Sequence, residues 1–326
     1  MDDAAGGLRG SRAVVSAELA EFLRATWGVW PVGGDLGGSV NLNLLVSDGR
    51  SRRVARVYRP FVTGGRIGAL QAVRNHLARR GVPCVPVVPS LLGNPWEVFQ
   101  GRVVEVEPYV AALDRMNTLA RVRTGLVVLG RIHTLLQAFS VEPSAADPRF
   151  ANYVAADGLV DAVGIGTRRI RAWGPTPAEA RLAGLADRLA ETLSGHEREP
   201  FPRQLVHGDF WDNNVGFRGE QVTLVTDFDF LGERPRVDDL ALTLYFTSLD
   251  ITRDPAHLSA LVSAYETGLD TKLSPRERAA IPYAMARQPL WSIAVWVALL
   301  DDEDLARRHL AATAAELDWA LHLLQE

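Results

Sequence analysis

Cysteine and lysine are almost absent from this chain, and no apolar run in it is long. Cys84 is the only cysteine among 326 residues. A single cysteine excludes an internal disulfide framework and any cysteine-rich zinc site, and it fits a reducing, cytoplasmic compartment. The most apolar stretch, Pro289 to Leu300, is twelve residues long, whereas a membrane-spanning helix needs about 20. It reads as a buried core helix. The first residues, MDDAAGGLRGSR, are acidic where a secretory signal is basic, and no apolar segment follows them. Residues 1–12 are expected to form a loose tail. A net charge of −4 lacks the basic excess of a nucleic-acid binder. Neither nucleic acid nor a membrane is expected as a partner. Lys272 is the only lysine, and arginine takes its place elsewhere, the usage of a GC-rich genome.

The rest of the composition is that of an ordinary globular protein, 47% hydrophobic and 23% charged. The length suffices for one large or two modest domains. Ser16 to Gly28 reads as a short helix with Ser16 as N-cap and Gly28 as stop. Between Gly33 and Tyr58 the pattern alternates, as in an antiparallel meander with a glycine-rich start. Ile67, Leu70, Val73 and Leu77 then share one face of a helix that Gly81 ends. A second hairpin, turning at Gly101, follows. From about Leu113 onward the chain is mainly helical. Thr176 and Ser274 each begin a run of hydroxyl N-cap, proline and a glutamate three residues on, and Asp254 begins a similar one. The composition shift near Glu107 and Pro108 marks the expected boundary between residues 1–107 and 108–326.

Two segments carry the chemistry: LVHGDFWDNNVGF, Leu205 to Phe217, and LVTDFDFLGERP, Leu224 to Pro235. Phosphoryl transfer needs a carboxylate to orient and deprotonate the acceptor hydroxyl. It also needs oxygen ligands for magnesium, and a cation with backbone N–H groups around the phosphates. Kinases supply these from an H-R-D-x-x-x-x-N loop and a D-F-G element. Here His207-Gly208-Asp209 precedes Asn214 at the same Asp-to-Asn spacing, and Asp227-Phe228-Asp229 stands where D-F-G would. A hairpin turning at Arg218-Gly219-Glu220 would bring Asn214 and Asp227 to one side of the site. Asp209 is then the expected base, with Asn214 and Asp227 as Mg2+ ligands. A lone aspartate often does no more than cap a helix or end a strand. That plain reading leaves the joint spacing unexplained.

These residues, with Asp239-Leu240-Ala241 downstream, resemble the aminoglycoside phosphotransferase and choline kinase superfamily of small-molecule kinases. The resemblance runs from about Gly33 to the C-terminus and includes Leu129 to Gln137. It implies an α+β, bilobal, protein-kinase-like fold. The nucleotide-binding N-lobe would be an antiparallel sheet with one main helix, and the C-lobe mostly helical. It implies ATP or GTP as donor and a small-molecule hydroxyl as acceptor. It also implies that Asp239 braces the catalytic loop, with His207 supporting the loop backbone.

In the nucleotide half, Gly37, Gly38, Ser39 and Asn41 form the expected phosphate hairpin, where glycine permits close backbone approach. The third strand places Arg56 where the family carries lysine. Arginine is larger, planar and bidentate, so the exchange is not neutral. The helix that follows usually supplies a glutamate to hold that cation, yet Gly64 to Gly81 contains no acidic residue. The base would lie along the backbone of Glu107 to Tyr109. The side chains of Glu105 and Glu107 read as exposed strand positions.

For the acceptor, Trp211 is a candidate pocket wall, and Asp229 and Asp238 are candidate contacts for a cationic group. The acidic run Asp301 to Asp304 and the basic run Arg168 to Arg171 point in opposite directions and read as solvated faces. His76, His133 and His257 stand singly in helical patterns without metal-ligand spacing. The expectation is an Mg2+-dependent kinase of a small molecule, with antibiotic modification among its relatives' activities. A homoserine, choline or sugar kinase is an alternative. So is a protein Ser/Thr kinase, against which stands the lack of an A-P-E element, and so is a nucleotide-binding pseudokinase, for which the missing helix glutamate speaks.

Overall fold

The computed structural model describes residues 12–37, 41–111, 113–146, 152–195, 201–298, 303–311 and 313–325. Helix α1, Ala17–Trp27, comes first. Strands β1 (Trp30–Asp35), β2 (Leu42–Ser47) and β3 (Arg52–Val57) form a meander, and α2 (Gly64–Ala78) follows. The hairpin of β4 (Glu97–Phe99) and β5 (Arg102–Pro108) completes an antiparallel sheet in the order β1-β2-β3-β5-β4. With the helical remainder this is the mixed α+β architecture expected. Ser16 accepts from the Leu19 N–H at the start of α1, and Gly28 ends it in the left-handed region.

The two faces of this sheet differ because side chains alternate along a strand. Leu42, Leu44, Val46, Ala55, Val57, Val104 and Val106 point to one face and pack with Leu19, Leu23 and Trp27 of α1. The intervening residues point toward α2, whose Ile67, Leu70, Val73 and Leu77 are buried with Tyr58 and Val103. That second face also receives Arg56, Glu105 and Glu107, at 8%, 1% and 6% exposure. The expectation that both glutamates are exposed is therefore wrong. The alternation V-V-E-V-E imitates a solvent-facing strand, but α2 lies over it.

Beyond Pro108 the described residues are helical apart from two small sheets and the loops. Helix α3 (Leu119–Leu136) is followed by α4 (Pro143–Ala146), α5 (Leu159–Ala172) and α6 (Pro177–Leu193). Strand β6 (Arg203–Val206) pairs with β9 (Gly232–Pro235), and β7 (Val215–Arg218) forms a hairpin with β8 (Gln221–Val225). Helices α7 (Arg236–Asp250), α8 (Pro255–Thr267) and α9 (Pro275–Arg287) follow. The last two helices are α10 (Glu303–Leu310) and α11 (Thr313–Leu323). Thr176 and Ser274 both make full capping boxes, and Asp254 caps α8.

The apolar stretch from Pro289 departs from the expected α-helix. A 3-10 turn over Gln288–Leu290 leads into a π-helix over Ser292–Val297, while Leu299 and Leu300 lie outside the described residues. Gly166 of α5 packs directly against the Ile293 carbonyl there, where a Cβ would sit at 2.1 Å. No helix among the described residues is long and apolar enough to cross a membrane. Of the expected tail, residues 1–11 lie outside the described residues. Arg12 is tied down, its guanidinium paired with Asp35 and bonded to the Asn41 carbonyl.

Candidate active site

The loop between β6 and β7 holds Asp209, and the loop between β8 and β9 holds Asp227. The pairing of β6 with β9 and of β7 with β8 returns the chain past both loops. Gly208 makes the turn possible. Its φ is +82°, and a Cβ would meet the Phe230 carbonyl oxygen at 2.2 Å. Asp239, in the first turn of α7, accepts from the N–H groups of His207 (3.1 Å) and Gly208 (3.0 Å). His133 of α3 donates from Nε2 to the same carboxylate at 3.0 Å, and Tyr265 of α8 meets His133 Nδ1 at 2.6 Å. Three helices thus fix one loop. His207 accepts the Asp209 N–H at Nδ1 and donates from Nε2 to the Thr226 carbonyl, which joins the two loops. Burial lowers its pKa, in keeping with that neutral ring.

Asp209 is 6% exposed. Asn214 donates to its Oδ2 at 2.7 Å and to its backbone carbonyl at 2.8 Å. Asn152 donates to Oδ1. Burial, and then the charge of Asp227, nonetheless hold the carboxyl pKa well above its usual value. Asp227 takes φ +61° and ψ +65°, a left-handed conformation uncommon outside glycine.

Asp227, Asp229 and Arg56 form one cluster. Arg56 Nη1 lies 3.0 Å from Asp227 and 3.1 Å from Asp229. Burial works against the guanidinium charge, but Asp229, Asp227 and Glu107 outweigh it and hold the pKa well above normal. Asp229 goes up to about 7, through burial first, although Arg56 pulls the other way. Asn41 bonds Asp229 and accepts the Arg59 N–H, so it ties the sheet to the D-F-D loop. Gly37 lines the same cleft, but its N–H donates to Asp35 at 2.9 Å and does not point free. Gly38 and Ser39 lie outside the described residues.

The cleft has a volume of about 670 Å3 and is walled at one end by Glu107, Pro108, Tyr109 and Val110. The expected backbone contact with a base needs correction at Tyr109, whose N–H donates to the Arg52 carbonyl at 3.2 Å. Pro108 has no N–H to offer. At the other end Trp211 stacks on Phe246 at 4.5 Å, and so it is both anchored and part of the wall. Asp238 is the clearest misplacement. It is 4% exposed, pairs with Arg287 of α9, and does not line the cleft. Asp301 and Asp302 lie outside the described residues.

Asn152 and Arg74 were missed. Asn152 sits in a segment with no periodicity or motif. Arg74 carries no signal of burial in the sequence of α2, yet it is buried and paired with Glu105 and Glu107. Among the described residues no three His, Cys, Asp or Glu side chains are grouped as a metal site.

Comparison with known proteins agrees with this fold. The model of the phosphotransferase enzyme family matches residues 34–277. The homoserine kinase of Methylobacillus glycogenes is 25% identical over 287 residues, which cover 84% of this chain and 83% of that one. Among solved structures, a microcompartment-associated aminopropanol kinase superposes with a TM-score of 0.74 at 20% identity, covering 95% of this chain and 98% of the other. An amicoumacin kinase in complex with AMP-PNP and Ca2+ gives 0.64 at 15% identity, covering 92% of each.

Proposed function

The chain belongs to the phosphotransferase enzyme family, and from that membership we propose that it moves the γ-phosphoryl group of ATP or GTP to the hydroxyl of a small amino alcohol. It is a phosphotransferase with an alcohol group as acceptor. One observation supports the detailed reading most: Asp209, Asn214, Asp227 and Arg56 all line a single cleft. In this reading Asp209 orients the acceptor hydroxyl and takes its proton as the bond to phosphorus forms. Its raised pKa makes it a better base than a solvated carboxylate.

Asn214 turns its NH2 to Asp209, which leaves Oδ1 as an oxygen donor, and the Asp227 side chain is 32% exposed toward the cleft. These two hard oxygen donors fit Mg2+, which takes its other ligands from phosphate and water. When bound, the ion would neutralise the phosphate charge and align the γ-phosphoryl group. Arg56 would face the phosphates from the sheet side. The base would lie by Glu107 and Tyr109, with residues 1–107 as nucleotide lobe and 108–326 as acceptor lobe. A cytoplasmic location goes with this reading.

The acceptor class is argued from a small side pocket of about 60 Å3 beside Trp211. Trp211 and Phe246 offer ring faces, and Asp212 and Asp250 offer carboxylates. Asp212 pairs through Oδ2 with Arg115, while its Oδ1 is buried and finds no hydrogen-bond partner among the described residues. Such a pocket suits an ammonium group. Homoserine and aminopropanol, the acceptors named for two relatives, both carry an amine near a hydroxyl. A second reading, an antibiotic acceptor, draws on the likeness to the amicoumacin kinase and on the roomy main cleft.

The test is magnesium-dependent transfer from ATP and GTP to a panel of amino alcohols, choline, sugars and hydroxylated antibiotics. Product is read as a mass gain of about 80 Da, one phosphoryl group. Transfer to a small amino alcohol, weakened by Asp212→Asn, supports the first reading. Transfer to an antibiotic alone would replace it with the second. No nucleotide binding under any condition would sink both.

A further inference from the structure

Arg56 has carboxylates on two sides. Asp227 and Asp229 approach from the D-F-D loop at 3.0 and 3.1 Å, and Glu107 of β5 approaches within the sheet at 3.9 Å. Helix α2, packed over the same face, brings no carboxylate but a second guanidinium. Arg74 forks between Glu105 at 2.7 Å and Glu107 at 3.1 Å. Glu105 is fully occupied, since Tyr58 and Gln71 also donate to it. Glu107 is the shared member, with Oε2 toward Arg74 and Oε1 toward Arg56.

We infer that Glu107 is the positioning residue for Arg56, and that Arg74 fixes Glu107 from behind, so that a strand carboxylate and a helix cation do the orienting that α2 has no acid to do. The inference rests on reading Arg56 as the cation at the phosphates. Its geometry follows from the sheet. Arg56 pairs in register with Glu105, and Glu107 pairs with Val54, so Glu107 lies diagonally across one strand boundary on the same face. A guanidinium recognises phosphate through a planar fork, and its orientation matters more than that of an ammonium. Asp227 and Asp229 both hold Nη1, so they fix one corner of the fork, whereas Glu107 faces Nη2 and sets its plane.

The experiment is a double-mutant cycle read by calorimetric titration of Mg-ATP into the full chain. Glu107→Gln keeps the side-chain shape and removes the charge. It should weaken nucleotide binding about tenfold, the scale expected on losing one partner of a buried charge pair, and leave the acceptor KM within about twofold. In an Arg56→Ala background the same change should add almost nothing, and Glu107→Asp should recover part of the loss. Arg74→Gln, which loosens Glu107 without touching it, should reproduce the weakening and serves if Glu107→Gln does not fold. Equal losses with and without Arg56, or unchanged affinity in Glu107→Gln, would overturn the inference. An Arg56→Ala variant that binds nucleotide normally would instead sink the reading of Arg56 itself.

Discussion

At the residue scale, Asp209 and Gly208 carry separable consequences. Asp209→Asn keeps the shape and the contact from Asn214 to the backbone carbonyl but removes the carboxylate proposed as base. Turnover should fall at least about a thousandfold, within the range for loss of general base catalysis. Mg-ATP affinity should stay within about threefold, and calorimetry beside a steady-state assay checks both. Gly208→Ala acts on the fold instead. Its φ of +82° and the Phe230 carbonyl 2.2 Å from a new Cβ leave no room. We expect a loss of about 2 kcal/mol or more, read from the urea midpoint. The loop containing both residues was legible in the sequence because its parts are local. His207, Asp209 and Asn214 lie within eight positions of one another, and the turn chemistry of Gly208 is written in the residue itself.

At the element scale, α3 and α8 approach through glycines. A Cβ on Gly130 would sit 2.2 Å from the Tyr265 carbonyl, and one on Gly268, just past α8, 2.1 Å from the Val127 carbonyl. Tyr265 is also the residue that backs His133 and, through it, Asp239. Gly130→Ala should therefore lower the melting temperature by about 5 °C. It should also cost activity beyond the unfolded fraction, measured well below the melt. A variant that melts lower but keeps full specific activity would show that α3 does not hold the loop. Elements such as α2 and β5 were legible, but their meeting was not. Arg74 and Glu105 are 31 positions apart, and nothing in either segment says that its charged residue faces inward. Periodicity identifies a face by its apolar residues, so a face buried around ion pairs reads as wet. The same blindness explains the misplacing of Asp238, whose partner Arg287 lies two helices away. The π-helix after Leu290 was illegible for another reason: apolar residues in a buried segment have no period that distinguishes π from α.

At the scale of the whole molecule, the segment between α2 and β4 and the hairpin of β7 and β8 are joined around the only cysteine. The Val225 N–H donates to the Pro83 carbonyl at 2.8 Å, and Cys84 bridges to Val225. Burial pushes the Cys84 thiol up to about 12. An ordinary thiol ionises near pH 8.5 and alkylates faster as pH rises through that value. A thiol at about 12 holds almost no thiolate there. In the native protein alkylation of Cys84 should stay far slower than that of an ordinary thiol from pH 7 to 9, climb about tenfold per pH unit without levelling off above pH 8.5, jump in denaturant, and slow further with Mg-ATP if nucleotide closes the cleft. Mass spectrometry of quenched aliquots gives the rate, and a native rate as fast as in denaturant, or one that levels off near pH 8.5, would contradict the joint as described. The near-absence of lysine has a practical consequence of its own. Nucleotide reagents that acylate or sulfonylate an amine beside the phosphates mark many kinases by that chemistry. Here the cleft presents Arg56 to them, and the one side-chain amine, Lys272, is exposed just ahead of α9. Surveys that catalogue nucleotide-using enzymes by such tags would pass over this protein even while it turned over.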